Sequence, residues 1–171
     1  PLLYANTAAF TAGAAQKDIP YVMNLTMLSM FGEFGGSGVT IGLVIAIFIF
    51  SRREDNRTIA GISIVPGLFN INETMTFGVP LVLNPILDIP FILAPVVTLV
   101  VGYLLVTSGF CPKIVLEVPW TMPPVFFGFI CTGANPMGAL SQLIVIALSV
   151  VIYTPFLIAY EKYQAKQSEA E

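Results

Sequence analysis

The chain has 171 residues, of which 56% are hydrophobic and only 10% are charged, whereas a soluble domain is about 25% charged. Its formal net charge of −3 and its scattered basic residues argue against a nucleic-acid partner. It has no histidine and two cysteines without metal-site spacing, so no zinc site or histidine-dependent triad can be built from it. The composition favours a membrane protein without a self-contained catalytic, cofactor or metal site.

The first fifty residues predict one irregular segment and one membrane span. Residues 1–30 mix small, polar and apolar side chains, which indicates a loop or broken helix continuing an upstream hairpin. Residues 31–50 supply about the 20 apolar residues that a spanning helix needs, although Glu33 and the glycines after it loosen its first turns. The span stops at residues 52–57, the densest basic cluster, which the positive-inside rule places in the cytoplasm.

Residues 58–88 are apolar overall but contain several prolines, asparagines and threonines and two acids. A uniform lipid-facing helix does not tolerate such a set. Backbone freed by proline and glycine at membrane depth survives only where it is buried in protein or lines a wet cavity. The segment therefore predicts a broken or re-entrant hairpin, the kind of element that forms binding sites in transporters.

The rest of the chain predicts two more spans. Residues 90–110 and 139–160 are long and apolar, the second being interrupted late by Pro155. Residues 111–138 predict an ordered proline-rich loop, and residues 163–171 a polar cytoplasmic tail. The predicted fold class is an all-α integral membrane protein, multi-pass in the lipid bilayer, with about three transmembrane helices beside the broken hairpin.

The acid of the broken hairpin is the strongest functional signal. An acidic side chain within a membrane segment costs free energy, so we hypothesise that Glu73 has a function. Its carboxylate can accept from two hydroxyls, while Asn70 and Asn72 can each donate and accept, a combination that suits the rim of a sugar. The alternative is that these groups only cap the broken helix or pair with backbone.

Three other features have two interpretations each. Trp120, the only tryptophan, either stacks on the apolar face of a sugar ring or anchors the chain at the membrane interface. Asp88 stands at the edge of a span, where we favour a helix cap or interface residue over a site. Glu33 and the small residues 35–38 either approach a ligand or let helices pack closely, and we favour packing for residues 35–38.

Five ordered blocks of this sequence resemble enzyme IIC of the bacterial phosphoenolpyruvate-dependent sugar phosphotransferase system, in its lactose, cellobiose and chitobiose branch. The blocks are GGSGVTIGL at residues 35–43, IVPGLFNINE at 64–73, FGVPLVLNPILDIPFILAP at 77–95, VPWTMPP at 118–124 and YTPFLIAYEK at 153–162. They look like the carboxyl-terminal part of a longer family member. By this resemblance, residues 31–162 are interpreted as its sugar-binding transport domain.

The resemblance implies a permease in the bacterial cytoplasmic membrane that binds a β-linked disaccharide, translocates it and presents it to the cytoplasmic enzyme IIB, which phosphorylates it. The carrier itself is not the phosphate donor. The glutamate of the family's NINE motif maps onto Glu73, near the hydroxyl that receives the phosphate. The tryptophan of the PW block maps onto Trp120, beside the sugar. The family also implies a homodimer.

The chain departs from the family pattern at two points. Thr74 follows Glu73 where the family usually has proline, so the backbone after the acid is expected to be less rigid. The family has a sugar-facing histidine in an earlier hairpin, whereas this chain has none. We expect that histidine upstream of Pro1.

Two other functions stay open from the residues alone. In a membrane assembly or interaction protein, Glu73 would only pair with a neighbouring helix. In a proton-coupled carrier, Glu73 or Asp88 would titrate during transport. Sugar binding with and without a change at Glu73 tests the first, and acid-linked uptake without a phosphorylating partner tests the second.

Overall fold

The computed structural model describes residues 1–81 and 84–168, and the regular structure of these residues is entirely helical. Eight α-helices follow one another: α1 Leu2–Thr11, α2 Leu25–Phe31, α3 Ile41–Phe50, α4 Glu54–Leu68, α5 Glu73–Gly78, α6 Asp88–Thr107, α7 Phe126–Cys131 and α8 Pro136–Ser168. Two 3-10 turns, Gln16–Asp18 and Ser37–Val39, precede α2 and α3. The predicted all-α fold class is confirmed, and residues 1–30 contain α1, a 3-10 turn and most of α2.

Helices α6 and α8 are the two described helices that are long and apolar enough to cross a membrane. They have 20 and 33 residues, or about 30 Å and about 50 Å of helix, against a hydrocarbon core of about 30 Å. They pack against each other. The predicted spans over residues 90–110 and 139–160 correspond to these two helices.

Helix α8 does not end where the sequence predicted. It continues through Pro155 and past Tyr160 to Ser168, so the predicted interruption at Pro155 is wrong, and residues 163–168 of the predicted polar tail are helical. A proline inside a membrane helix is tolerated when side chains satisfy the backbone groups that it frees. Next to Pro155, the Thr154 hydroxyl donates to the carbonyl of Val150 at 2.7 Å.

The predicted span over residues 31–50 is also wrong in its extent. Its helical part is α3, with 10 residues or about 15 Å, which is too short to cross a bilayer. Glycine is the cause, because Gly35, Gly36 and Gly38 have φ angles of 73°, 90° and 77°. These left-handed conformations turn the chain between α2 and α3.

Helix α3 is a core helix that packs against α4 and α8. Leu43 and Ile47 are fully buried on it. A Cβ on Gly38 would lie 2.3 Å from the Phe91 ring of α6, so the glycine permits a close approach that a side chain would block. The buried Tyr153 hydroxyl of α8 donates to the Gly38 carbonyl at 2.6 Å. Packing thus explains this glycine, as favoured from the sequence.

Side-chain amides join the irregular segments to the helices. The Asn6 amide donates to the Tyr21 carbonyl at 2.7 Å and to the Ile114 carbonyl at 2.9 Å, which ties the amino-terminal segment to the loop after α6. Gln142 of α8 accepts from the backbone N–H of Val125 at 2.7 Å, at the start of α7. The predicted loop over residues 111–138 is therefore ordered, and α7 is its one described α-helix before α8.

Candidate functional site

The broken hairpin predicted around Glu73 is present as the break between α4 and α5. Helix α4 ends at Leu68 and α5 begins at Glu73. In between, Asn70 adopts a left-handed backbone conformation with φ 62°, which asparagine tolerates better than most residues. The N–H of Ile71 returns to the Pro66 carbonyl at 3.1 Å and closes the turn. The left-handed conformation of Asn70 therefore turns the chain between the two helices.

Both asparagines of the break bind backbone groups in other loops. The Gly35 N–H donates to Asn70 Oδ1 at 2.6 Å, and Asn70 Nδ2 donates to the Trp120 carbonyl. Asn72 Nδ2 donates to the Ser37 carbonyl at 2.7 Å. The break is thus joined to the glycine turn before α3 and to the loop that carries Trp120. Pairing with backbone, left open as an alternative, is what these amides do.

The glycine turn must lack a side chain for this junction to form. A Cβ on Gly36 would lie 2.5 Å from Cγ of Asn72, a distance that carbon atoms do not reach without a shift. Its φ of 90° is also in the region that favours glycine. The close approach is between two loops of this chain, so the glycine shapes the site's wall.

A cavity of about 200 Å³ opens at the junction of these loops. Its walls combine hydroxyl, amide, carboxylate and indole groups from Ser29, Glu33, Gly36, Ser37, Asn70 and Trp120. Trp120 is 60% exposed, while its backbone is held by Asn70. The structure therefore brings together two predicted site residues, Asn70 and Trp120, around an open cavity.

A second cavity of about 410 Å³ adjoins the first, because Ser29 and Trp120 line both. Its other walls come from α2 and from the Trp120 loop, namely Leu25, Thr26, Glu117, Val118 and Pro119. Each cavity therefore has one carboxylate, Glu33 or Glu117, with Trp120 between them.

Glu33 lines the smaller cavity, although it was not among the predicted sugar-binding residues. It follows α2, is exposed, and its Oε2 accepts from the Ser29 hydroxyl at 3.4 Å. The signal was available, since Glu33 is an acid within an apolar run and carries the same cost that singled out Glu73. It was missed because residues 31–50 were taken as a span.

Glu73 opens α5 immediately after Asn72. It does not line the smaller cavity, and its side chain is exposed, with no hydrogen bond or ion pair to the described residues. The predicted position at a helix break is observed. The predicted enclosure is not met within this chain, because the short α5 turns the carboxylate outward.

Asp88 lies apart from these cavities, at the first position of α6, where it is half-buried. A negative charge there is favoured by the helix dipole. No side chain of the described residues caps α6 with a hydrogen bond; in the turn before it, Asn84 Oδ1 accepts from the N–H groups of Ile86 and Leu87 at 3.0 and 3.2 Å. The structure agrees with the favoured helix-end interpretation of Asp88. Among the described residues, no group of three acids, cysteines or histidines could hold a metal ion.

Apolar helices around a broken hairpin, with an indole and a carboxylate lining a cavity at the break, are typical of membrane transporters. A family model described as "Phosphotransferase system, EIIC" matches residues 2–95. The chain belongs to this family of membrane transporter components.

Individual relatives agree with the family. The lichenan permease IIC component of Bacillus subtilis (strain 168) is 38% identical over 164 residues, or 95% of this chain and 36% of the relative. A lactose-specific EIICB component of Staphylococcus aureus is 34% identical over 75% of this chain and 22% of its own length. The chain thus spans about a third of the first relative's length, 36%.

The crystal structure of the transporter ChbC resembles this fold over nearly the whole chain. ChbC is the IIC component of an N,N'-diacetylchitobiose-specific phosphotransferase system. The two structures align with a TM-score of 0.92 and 37% sequence identity, over 99% of this chain and 39% of ChbC. The shared fold includes the described helices and the break that carries the candidate site.

Proposed function

We propose that this chain is the sugar-binding part of a permease that binds a β-linked disaccharide of cellobiose, chitobiose or lactose type and carries it across the membrane. The observation that carries the proposal is the bond from Asn70 to the backbone of Trp120. This bond holds an exposed indole at the helix break, which ends where Glu73 begins α5. Relatives named for lichenan, lactose and N,N'-diacetylchitobiose support the substrate class.

The candidate site residues have different roles in sugar binding. The Trp120 indole offers a flat apolar face for a pyranose ring, of the kind that aromatic side chains supply. Glu73 accepts hydrogen bonds from hydroxyls, and charge-assisted bonds of this kind are roughly twice as strong as neutral ones. Asn70 and Asn72 position these two groups through their backbone bonds, which leave one amide N–H of each and the Oδ1 of Asn72 for the sugar.

We further propose that enzyme IIB phosphorylates the bound sugar from the cytoplasmic side of a bacterial inner membrane. The relative named an EIICB component supports this partner. Residues 52–57 and the end of α8 lie at one end of the molecule, because Ser51 and Asn56 both donate to Glu161. The basic cluster supports a cytoplasmic location for that end. The proposed protein is multi-pass and homodimeric.

Replacement of Glu73 by Gln in the full-length protein tests the function. Gln keeps the shape and loses the charge, so disaccharide affinity should fall by about 1.5–3 kcal/mol, or roughly tenfold to a hundredfold. Transfer from phosphorylated enzyme IIB should fall at least as much, because a misplaced hydroxyl also slows the reaction. Calorimetry and transfer assays measure the two effects.

Asp88→Asn is the matched control, since Asp88 is the other acid of residues 58–88 and lies away from the cavities. It should leave sugar affinity unchanged. Unchanged affinity and transfer in Glu73→Gln would leave Glu73 a structural acid. Uptake driven by acidification without enzyme IIB would favour a proton-coupled carrier instead.

A further inference from the structure

The two cavities beside Trp120 have the layout of a two-ring site. We propose that the smaller cavity holds the ring that is phosphorylated, that the larger cavity holds the second ring, and that Glu117 is the hydroxyl acceptor for this second ring. This inference rests on the proposed function and adds a specificity-determining residue to it. The volumes of about 200 and 410 Å³ together match small-molecule sites, which occupy about 300–1,000 Å³.

The order of the rings follows from what lines each cavity. The smaller cavity includes Ser37 and Asn70, and Ser37 is bonded to Asn72, the residue before Glu73. A ring seated there is the one nearest the helix break. The larger cavity includes none of these residues and extends from Trp120 toward α2. Trp120 lines both, so its indole can contact both rings of one disaccharide.

The carboxylate of Glu117 is available for a ligand. The described residues form one side-chain ion pair, between Arg53 and Asp55, which does not involve Glu117. The nearest basic residue along the chain, Lys113, donates its ammonium to the carbonyls of Lys17 and Ile19 and so turns away. An unpaired carboxylate in a cavity can accept hydrogen bonds from two sugar hydroxyls.

The loop that carries Glu117 is fixed on both sides. Before it, the N–H groups of Val115 and Leu116 donate to the Cys131 carbonyl at 2.8 and 3.1 Å. After it, Val118 is buried and the Trp120 carbonyl accepts from Asn70. A polar group on a segment held in this way is preorganised for binding, whereas a free surface acid is not.

Substitutions of Glu117 and Glu33 should therefore have different effects on disaccharide and monosaccharide binding. In the full-length protein, we would choose the tightest ligand among cellobiose, lactose and N,N'-diacetylchitobiose, and compare it with its own monosaccharide. Glu117→Gln should weaken disaccharide binding about tenfold and leave monosaccharide binding unchanged. Glu33→Gln should weaken the binding of both sugars, because Glu33 lines the smaller cavity, which holds the ring that is phosphorylated.

Glu54→Gln is the control, because Glu54 is an exposed acid in the first turn of α4, outside both cavities. Its affinities should equal those of the wild type. Unchanged disaccharide affinity in Glu117→Gln, or equal weakening for both sugars, would overturn the two-ring assignment alone. If the wild-type protein binds none of the three disaccharides, the proposed function fails together with it.

Discussion

Asn70 combines a backbone role and a side-chain role that two substitutions can separate. Its φ of 62° is left-handed, and its amide bonds both the Gly35 N–H and the Trp120 carbonyl. Asn70→Gly keeps the backbone conformation accessible and removes both bonds. Asn70→Ala removes both bonds and also strains the backbone. The difference between the two variants is therefore the cost of the left-handed conformation.

The magnitudes follow from these contacts. Each neutral hydrogen bond contributes about 0.5–1.5 kcal/mol, so Asn70→Gly should lower the free energy of unfolding by about 1–3 kcal/mol. Alanine adds a left-handed cost of about 1–2 kcal/mol, of which about 0.4–1 kcal/mol is offset by its less flexible unfolded chain. Asn70→Ala should thus be the less stable variant.

Equilibrium unfolding of the purified full-length protein in detergent measures both values. Disaccharide affinity should fall in both variants, because Trp120 loses the bond that holds its backbone. If Asn70→Gly is as stable as the wild type, the two bonds contribute nothing. If Asn70→Ala is as stable as Asn70→Gly, the account of the backbone is wrong.

Two further predictions concern packing. Gly42→Ala would place a Cβ 2.2 Å from the Ser149 hydroxyl of α8. Thermal unfolding should show that this variant is destabilised by about 1–3 kcal/mol. Gly61→Ala is the control and should not be destabilised, because Gly61 has open space around it. Burial raises the pKa of the Cys111 and Cys131 thiols, so neither should react with a maleimide at pH 7 until the protein is denatured. Rapid labelling of the folded protein would contradict the packing around them.

The sequence predicted the position of the break because its cause is local. Proline and asparagine have low helix propensity, and Glu73 marks an unusual cost at membrane depth. The roles of the amides could not be predicted, because Asn70 reaches partners 35 and 50 residues away along the chain. Contacts between residues so far apart in sequence depend on tertiary packing, which a local sequence pattern does not reveal.

The lengths of two helices were mispredicted because hydropathy measures composition and not backbone conformation. Residues 31–50 are apolar enough to span, but three left-handed glycines reduce the helix to α3. Conversely, the polar residues after Tyr160 are good helix formers that continue α8 beyond the apolar part.

The extension of α8 is held by a polar contact at its base. Oε1 of Glu161 accepts from the Ser51 hydroxyl and from Asn56 Nδ2, the latter at 3.0 Å. Ser51 and Asn56 are 4% and 3% exposed, so water cannot easily replace the carboxylate. The loop after α3 and the end of α8 are therefore joined, and both must lie on the same side of the membrane.

Glu161→Ala should separate them, because it leaves two buried polar groups without their acceptor, at about 1–3 kcal/mol each. Glu161→Gln retains an acceptor oxygen and should cost less. A cysteine introduced at Lys166 reports the separation: its labelling in inside-out vesicles should quicken in the Ala variant and stay near wild type in the Gln variant. If Glu161→Gln loses as much stability and labels as fast as Glu161→Ala, charge and not hydrogen bonding joins the two ends. Labelling of this cysteine from outside intact cells would place the joined ends on the opposite side from the one proposed.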